Sequence, residues 1–354
     1  MRAAEVFNAG TRGYSGSRGM LGALRARGPR AGLVEELLNM SDAESCAAHL
    51  RQSPFLDGID SGSSLADLQR ALRSACVIFG RKLTIFLGGP ARRMIETHLL
   101  RYGVWNVKVL FRRSVMPAGD GISDDLYPSA ACYVPPRQRA TIDSPEKVVG
   151  LTEGSRLEKA TRIAYETYQK GEKDLFLFEL ALDREYLLGV WDAAQRVNLT
   201  EGSRLRRTLI VPGLGLNAII WGLWLRSYHG MAAEEVMTLL TLPAKLVRTE
   251  AYLKFLQTGD PAVVEGAREV TAAGRFLAAA GAPQDVPAWH RLSRRYLWGR
   301  LNSRSMGIVF DISSLVMNLM KWEFVVDDAI TVVTAKSLGL KREEIGPLLA
   351  TQAA

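Results

Sequence analysis

The chain has 354 residues, 47% of them apolar and 23% charged, with a formal net charge of +8. That balance excludes a chain disordered for want of hydrophobicity, and it leaves enough apolar material for a sizeable core. The positive charge suits an anionic surface, an acidic partner or plain solubility, but no Lys/Arg block of the nucleic-acid-binding type is present.

The first thirty residues carry six arginines and one acid, Glu5. They read as an organelle transit segment or as a basic helix of the mature protein, and no apolar region of a secretory leader precedes them. "LADLQRALRSACVIFG" follows as a helix. The run Val77 to Gly89, "VIFGRKLTIFLGG", has strand-like composition, yet "GGPARR" is no phosphate cradle, so a buried helix is expected there. Met116 to Pro145, rich in Gly and Pro, reads as a long connection. "LEKATRIAYETYQKG" is a further helix. Leu209 to Leu225, "LIVPGLGLNAIIWGLWL", reads as a buried helix after a Pro-Gly turn, because its clean apolar part, Ala218 to Leu225, is too short to span a bilayer. Trp221, Trp224 and Tyr228 are spaced for one helical face and are expected in the core. Helices are also expected at Ala233 to Leu242, Ala267 to Ala280 and "WHRLSRRYLWGRL". From Val309 a stripe of Ile312, Val316, Leu319 and Met320 marks an amphipathic helix.

Cys46, Cys76 and Cys132 form no C-x-x-C pair, and His49, His98, His229 and His290 lie far apart. This spacing favours reduced thiols and offers no metal-ligand set. No catalytic residue, cofactor site or small-molecule substrate is expected.

One plan recurs along the chain: a polar Asn or Asp, an apolar helix, a cation, a Gly, then an acidic pair. Asn217, Arg226, Gly230 and Glu234-Glu235 fill it, as do Asp328, Lys336, Gly339 and Glu343-Glu344. An earlier copy offers Asn106, Arg112-Arg113, Gly119 and Asp124-Asp125. The grammar is that of helix–turn–helix. Gly supplies the left-handed residue that ends a helix, and the charges complement the dipoles on either side. The expected architecture is all-α, in three helical repeats spanning 1–128, 129–243 and 244–354.

Those residues resemble the C-type subunit of the V/A-type rotary ATPases, called d in the eukaryotic vacuolar enzyme. "YSGSRGMLGAL" resembles the family's opening pattern through Tyr14, Arg18, Met20 and Leu24. "LLRYGVWNVKVLFRR" resembles its first repeated helix through Asn106, Leu110 and Arg112, although Gly103 stands where an acid is expected. "FDISSLVMNLMKWEFVVDDAITVVTAKSLGL" resembles the third copy, with Lys321 and Glu323 at its junction and Asp328 in place of Asn. The resemblance implies a funnel-shaped socket of three pseudo-threefold repeats with no active site. It would hold central-shaft subunits of the D and F type on the cytoplasmic face of the membrane proteolipid ring. Contact with the membrane face would be peripheral, without a span and without nucleic acid. Torque would pass through it for ATP-driven or ATP-producing ion transport.

Several residues keep two readings. Glu323 extends the Ile312 stripe as part of a buried network, or it is solvated beyond the helix end. Asp327-Asp328 could hold magnesium in a helical enzyme acting on diphosphates, but a capping or exposed pair is the plainer reading. Arg291, Arg294, Arg295, Arg300 and Arg304 form the densest basic run, facing acidic partner loops or solvent. A generic helical scaffold remains the third functional alternative.

Overall fold

Apolar residues recurring every three or four positions fold this chain into helices, and hydrogen-bonding side chains at the boundaries cut it into segments. The computed structural model describes residues 15–30, 32–116, 126–128, 132, 141–197, 203–240, 246–279, 286–305 and 311–352. Among these there is no strand, and the one sheet-like contact is an isolated antiparallel bridge between Val247 and Gly266. The fold is all-α.

The chain forms two compact units. The first is drawn from Met1–Pro29 and Glu44–Val197. It holds α1 (Ser15–Arg27), α3 (Ala43–Arg51), α4 (Leu65–Thr84), α5 (Gly89–Val115), α6 (Pro145–Gly150), α7 (Glu158–Lys170) and α8 (Leu175–Arg196). Ser64 starts α4 by accepting the Asp67 N–H, and Asp174 starts α8 by accepting the Phe176 N–H. Helix α5 packs on α4, α6 and α8, and α7 packs on α8. At the centre the Phe111 and Phe178 rings stack with centroids 3.6 Å apart, and Tyr168 meets Phe111 edge-on at 5.0 Å.

The second unit is drawn from Arg30–Ala43 and Asn198–Ala354. It takes α2 (Leu33–Asn39) from near the start of the chain. To this it adds α9 (Val211–Ser227), α10 (Ala233–Leu239), α11 (Thr249–Thr258), α12 (Arg268–Ala279), α13 (Val286–Ser305), α14 (Ile312–Ser337) and α15 (Arg342–Ile345). Helix α9 packs on α10 to α13, and the buried Tyr252 hydroxyl donates to the Ala218 carbonyl at 2.7 Å. Helix α14 packs on α13, α15 and α2.

Two expectations for this region need correction, the Pro-Gly turn and the core placement of the aromatic face, while the reading as a buried helix holds. Pro212 and Gly213 make no turn. A π-helical stretch at Arg206–Ile210 runs straight into α9, and the wider turn accommodates a proline that lacks an N–H and crowds the carbonyl four residues back. Ser203–Ser227 is long and apolar enough to cross a membrane by length and composition. Most of it is buried within the second unit, however, as befits a core helix. Of the aromatic face on this helix, Trp221 and Trp224 are half-buried and Tyr228 is exposed. The helix ends at Ser227, so Tyr228 lies beyond the packed face.

The Val77 to Gly89 run is helical to Thr84, with Val77, Phe79, Leu83 and Thr84 buried and Arg81 exposed, and it then turns. Ile85 and Phe86 stand exposed in that turn, because Gly88-Gly89-Pro90 breaks the helix and restarts the chain as α5.

Two measurements check this core. Phe111→Ala should cost about 3–5 kcal/mol by denaturant titration, since the ring is fully buried among three other aromatic rings. All three cysteine thiols are buried, and burial pushes the Cys132 thiol up to about 12. A thiol-specific reagent at neutral pH should therefore label none of them in the native chain and all three after denaturation.

Candidate functional site

Several residues of the recurring plan sit where helices meet, and Asn106, Asp328, Arg226 and Lys336 each bond backbone groups of another segment. In the first unit, α5 carries Asn106, which is fully buried. Its Nδ2 donates to the carbonyls of Tyr127 and Cys132 at 2.8 and 2.5 Å, and its Oδ1 accepts the Tyr127 N–H at 2.8 Å. A side-chain amide is suited to this because it carries two donated hydrogens and an acceptor oxygen together. Further along α5, Lys108 reaches Asp183 at 2.6 Å, and Arg112 grips Glu179 through two bonds of 2.5 and 2.6 Å. The Glu179 hydrogen bond raises the Arg112 guanidinium above its ordinary value. Burial raises the Asp183 carboxyl, against the pull of Lys108.

In the second unit, Asp328 lies in the middle of α14 and is 1% exposed. Its Oδ2 accepts the N–H groups of Ala350 and Thr351 at 2.8 and 2.7 Å and the Thr351 hydroxyl at 2.7 Å. Its Oδ1 accepts from Arg294 at 3.4 Å. Burial pushes this carboxyl above the usual range, while Thr351, Arg294 and Ala350 pull the other way. Arg294 also reaches Asp327 at 3.4 Å and lies 5.2 Å above the Phe324 ring. Arg295 donates to the carbonyls of Gly346, Pro347 and Leu349.

Asp327-Asp328 is therefore neither an exposed pair nor a helix cap. Asp328 is held mid-helix by a chain segment that returns more than twenty residues later, and Asp327 pairs with Arg294, neither of which local pattern can reveal. Among the described residues no cluster of three metal-ligating side chains occurs. Glu323 is buried, and α14 continues past it to Ser337, so it is not solvated beyond a helix end.

The cations of the second and third copies do the same job. Arg226 donates to the carbonyls of Leu256 and Met231, and Lys336 to those of Leu38 and Met40. Leu256 and Leu38 lie in the last turns of α11 and α2, where the carbonyl ends of a helix carry partial negative charge. Gly230 and Gly339 then adopt φ of 62° and 79°, the left-handed conformation expected of them. After each, a glutamate accepts a backbone N–H at 2.8 Å: Glu235 from Ala232 and Glu344 from Lys341. In the first copy, Gly119 and Asp124-Asp125 lie outside the described residues.

Asn217 is half-buried and donates to the Gly213 carbonyl within its own helix at 3.0 Å. Arg18 is exposed on α1, and Tyr14 lies outside the described residues. Of the basic run on α13, Arg294 and Arg295 are engaged as above. Arg300 bonds the Tyr296 hydroxyl and the Arg207 carbonyl, Arg291 is half-buried, and the Arg304 side chain lies outside the described residues. Glu179 and Asp183 escaped the sequence reading. Their signal was an acid pair four apart on one helix matching a cation pair four apart, Lys108 and Arg112, on another.

A family model described as ATP synthase (C/AC39) subunit matches residues 25–348, from α1 to the last helical turn. The chain belongs to that family. It is therefore a C/AC39-type subunit of a V/A-type ATPase complex, homologous to the d-type subunit of the vacuolar enzyme, and the family is a non-catalytic one. A search of curated proteins gives no match.

The pins make two stability predictions. Asn106→Ala should cost about 1–3 kcal/mol in a denaturant titration, because it leaves the buried Tyr127 N–H without its acceptor. Deleting the chain from Leu349 onward strips three donors from the buried Asp328 and exposes the core residues around Leu349, so it should lower the thermal midpoint by several degrees. An unchanged midpoint would show that this end of the chain is not held as described.

Proposed function

We propose that this chain is the non-catalytic coupling subunit of its ATPase, joining the rotating shaft to the membrane proteolipid ring. The observation that carries the proposal is a recurrence of four helices in fixed order. The first helices, α2, α6 and α11, begin at 33, 145 and 249. The second, α3, α7 and α12, begin at 43, 158 and 268, and the third, α4, α8 and α13, at 65, 175 and 286. The fourth begin at 89, at 206 with its π-helical lead, and at 312. Asn106, Asn217 and Asp328 lie on the fourth helices, evenly spaced along the chain.

The packing supports the same reading. Each fourth helix packs on the first helix of the next set: α5 on α6, α9 on α11, and α14 on α2. The last pair links the third set back to the first. Its ties are Lys336 to the Leu38 and Met40 carbonyls, and Arg342 to Glu35 and Asn39. Each fourth helix also ends on an exposed apolar residue: Met116, Tyr228 and Leu338. The recurring contact supports reading the chain as three repeats, 1–128, 129–243 and 244–354, which the family implies form a pseudo-threefold, funnel-shaped socket. Compactness divides the chain differently, because packing of each fourth helix onto the next set blurs the repeat boundaries.

In this role the protein grips shaft subunits of the D and F type on one side and the proteolipid ring on the other. It works from the cytoplasmic side, as a peripheral part of the complex with no span of its own. Close-packed helices resist shear and can transmit torque without chemistry. Complexes solubilised gently from membranes should contain the chain. Complexes assembled without it should still hydrolyse ATP in their soluble sector but fail to drive ion transport. Intact, coupled complexes that lack the chain would sink the proposal.

A further inference from the structure

The hairpin between α4 and α5 carries a surface that the pins do not use. Ile85 is 67% and Phe86 47% exposed at its tip, followed by the exposed Gly88, Gly89 and Pro90. Arg81 and Lys82 close α4 one turn behind the tip, and Arg92 and Arg93 open α5 on the other side. No acidic residue stands between Asp67 and Glu96 in the sequence. Helix α1 packs on α4 with Gly16 against the Phe86 ring, and the sequence from Val6 to Val34 is also free of acids. Arg92 pairs with Glu96 at 2.7 Å, whereas Arg81 and Arg93 are exposed and form no ion pair among the described residues.

We propose that this tip inserts into the headgroup layer of an anionic lipid bilayer. The match is chemical. A convex tip of Ile and Phe can enter the acyl boundary, while long cations one turn behind it sit at phosphate level and keep their charges in water. An anionic leaflet attracts cations near its surface, and the acid-free flanks oppose that attraction nowhere. The N-terminus of the 27-residue α5 points its partial positive charge out of the same end of the hairpin. A purely electrostatic partner, such as an acidic protein loop or a nucleic-acid backbone, leaves the exposed Ile and Phe without a role. The inference deepens the membrane-side placement proposed above, but its test uses the isolated chain and does not depend on assembly.

The purified full-length chain is sedimented with phosphatidylcholine vesicles, with and without phosphatidylserine. The expected result is binding to the anionic vesicles alone, weakening as salt is raised from about 0.1 M towards 1 M. Ile85→Ser should weaken binding about tenfold, and the Arg81→Gln, Arg93→Gln double variant by more than tenfold. Ile85 is so exposed that its replacement leaves the fold intact, which an unchanged thermal midpoint verifies. Tyr228→Ser, an exposed apolar site in the second unit, should bind as the wild type does. With Ile85→Trp, emission should shift to the blue on adding anionic vesicles.

Binding unaffected by the tip variants, or no binding by the wild type, overturns the proposal. If the wild type ignores vesicles while the tip variants fail to enter the ATPase complex, the tip meets an acidic protein surface instead. Failure here leaves co-purification with the shaft and ring untouched, so the two proposals fall separately.

Discussion

A polar side chain in the buried middle of a long helix costs free energy unless some other part of the chain comes to meet it. Asn106 and Asp328 are two such side chains, and the chain returns to both. Asn106 takes the backbone of Tyr127 and Cys132, and Asp328 that of Ala350 and Thr351. Each return fixes the path of the chain at those residues. Neighbouring helices are then positioned by cations that reach their carbonyl ends or their carboxylates, as Lys336 does for α2 and Arg112 for α8. Apolar packing fills the space between, but the polar pins decide which segment lies where.

In this arrangement many of the described charged groups are turned towards one another. Lys108, Arg112, Glu179 and Asp183 satisfy one another across two helices. Arg294 and Arg295 are spent on Asp327, Asp328 and the closing turn. Groups satisfied in this way stiffen a scaffold and bring no reactive atom to a substrate. The coupling role proposed above calls for that stiffness. Exposed features such as the basic apolar tip at Ile85 and the apolar ends at Met116, Tyr228 and Leu338 are left to face something else.

The outcome for α14 shows how the sequence reading succeeds and where it stops. The Ile312, Val316 and Leu319 stripe located the helix, because burial against neighbours imposes a period of 3.6 residues that any such stretch displays. It could not tell that Asp327 and Asp328 lie within that helix, since two adjacent carboxylates look like a cap or a metal site when no partner is in view. Pro212-Gly213 misled in a similar way. A proline reads as a break, yet a widened π turn before it lets the helix pass.

Composition and periodicity determined that the protein is helical. The spacing of Asn or Asp, cation, Gly and acidic pair determined where helices end, because caps and left-handed residues act over a few positions and are written locally. Only the tertiary structure decided what the buried polar groups are for. Glu179 and Asp183 stand 67 and 75 positions from the cations they meet, and the Leu38 carbonyl stands 298 from Lys336. Contacts over such separations depend on how helices stack in space, and no local spacing encodes the partner.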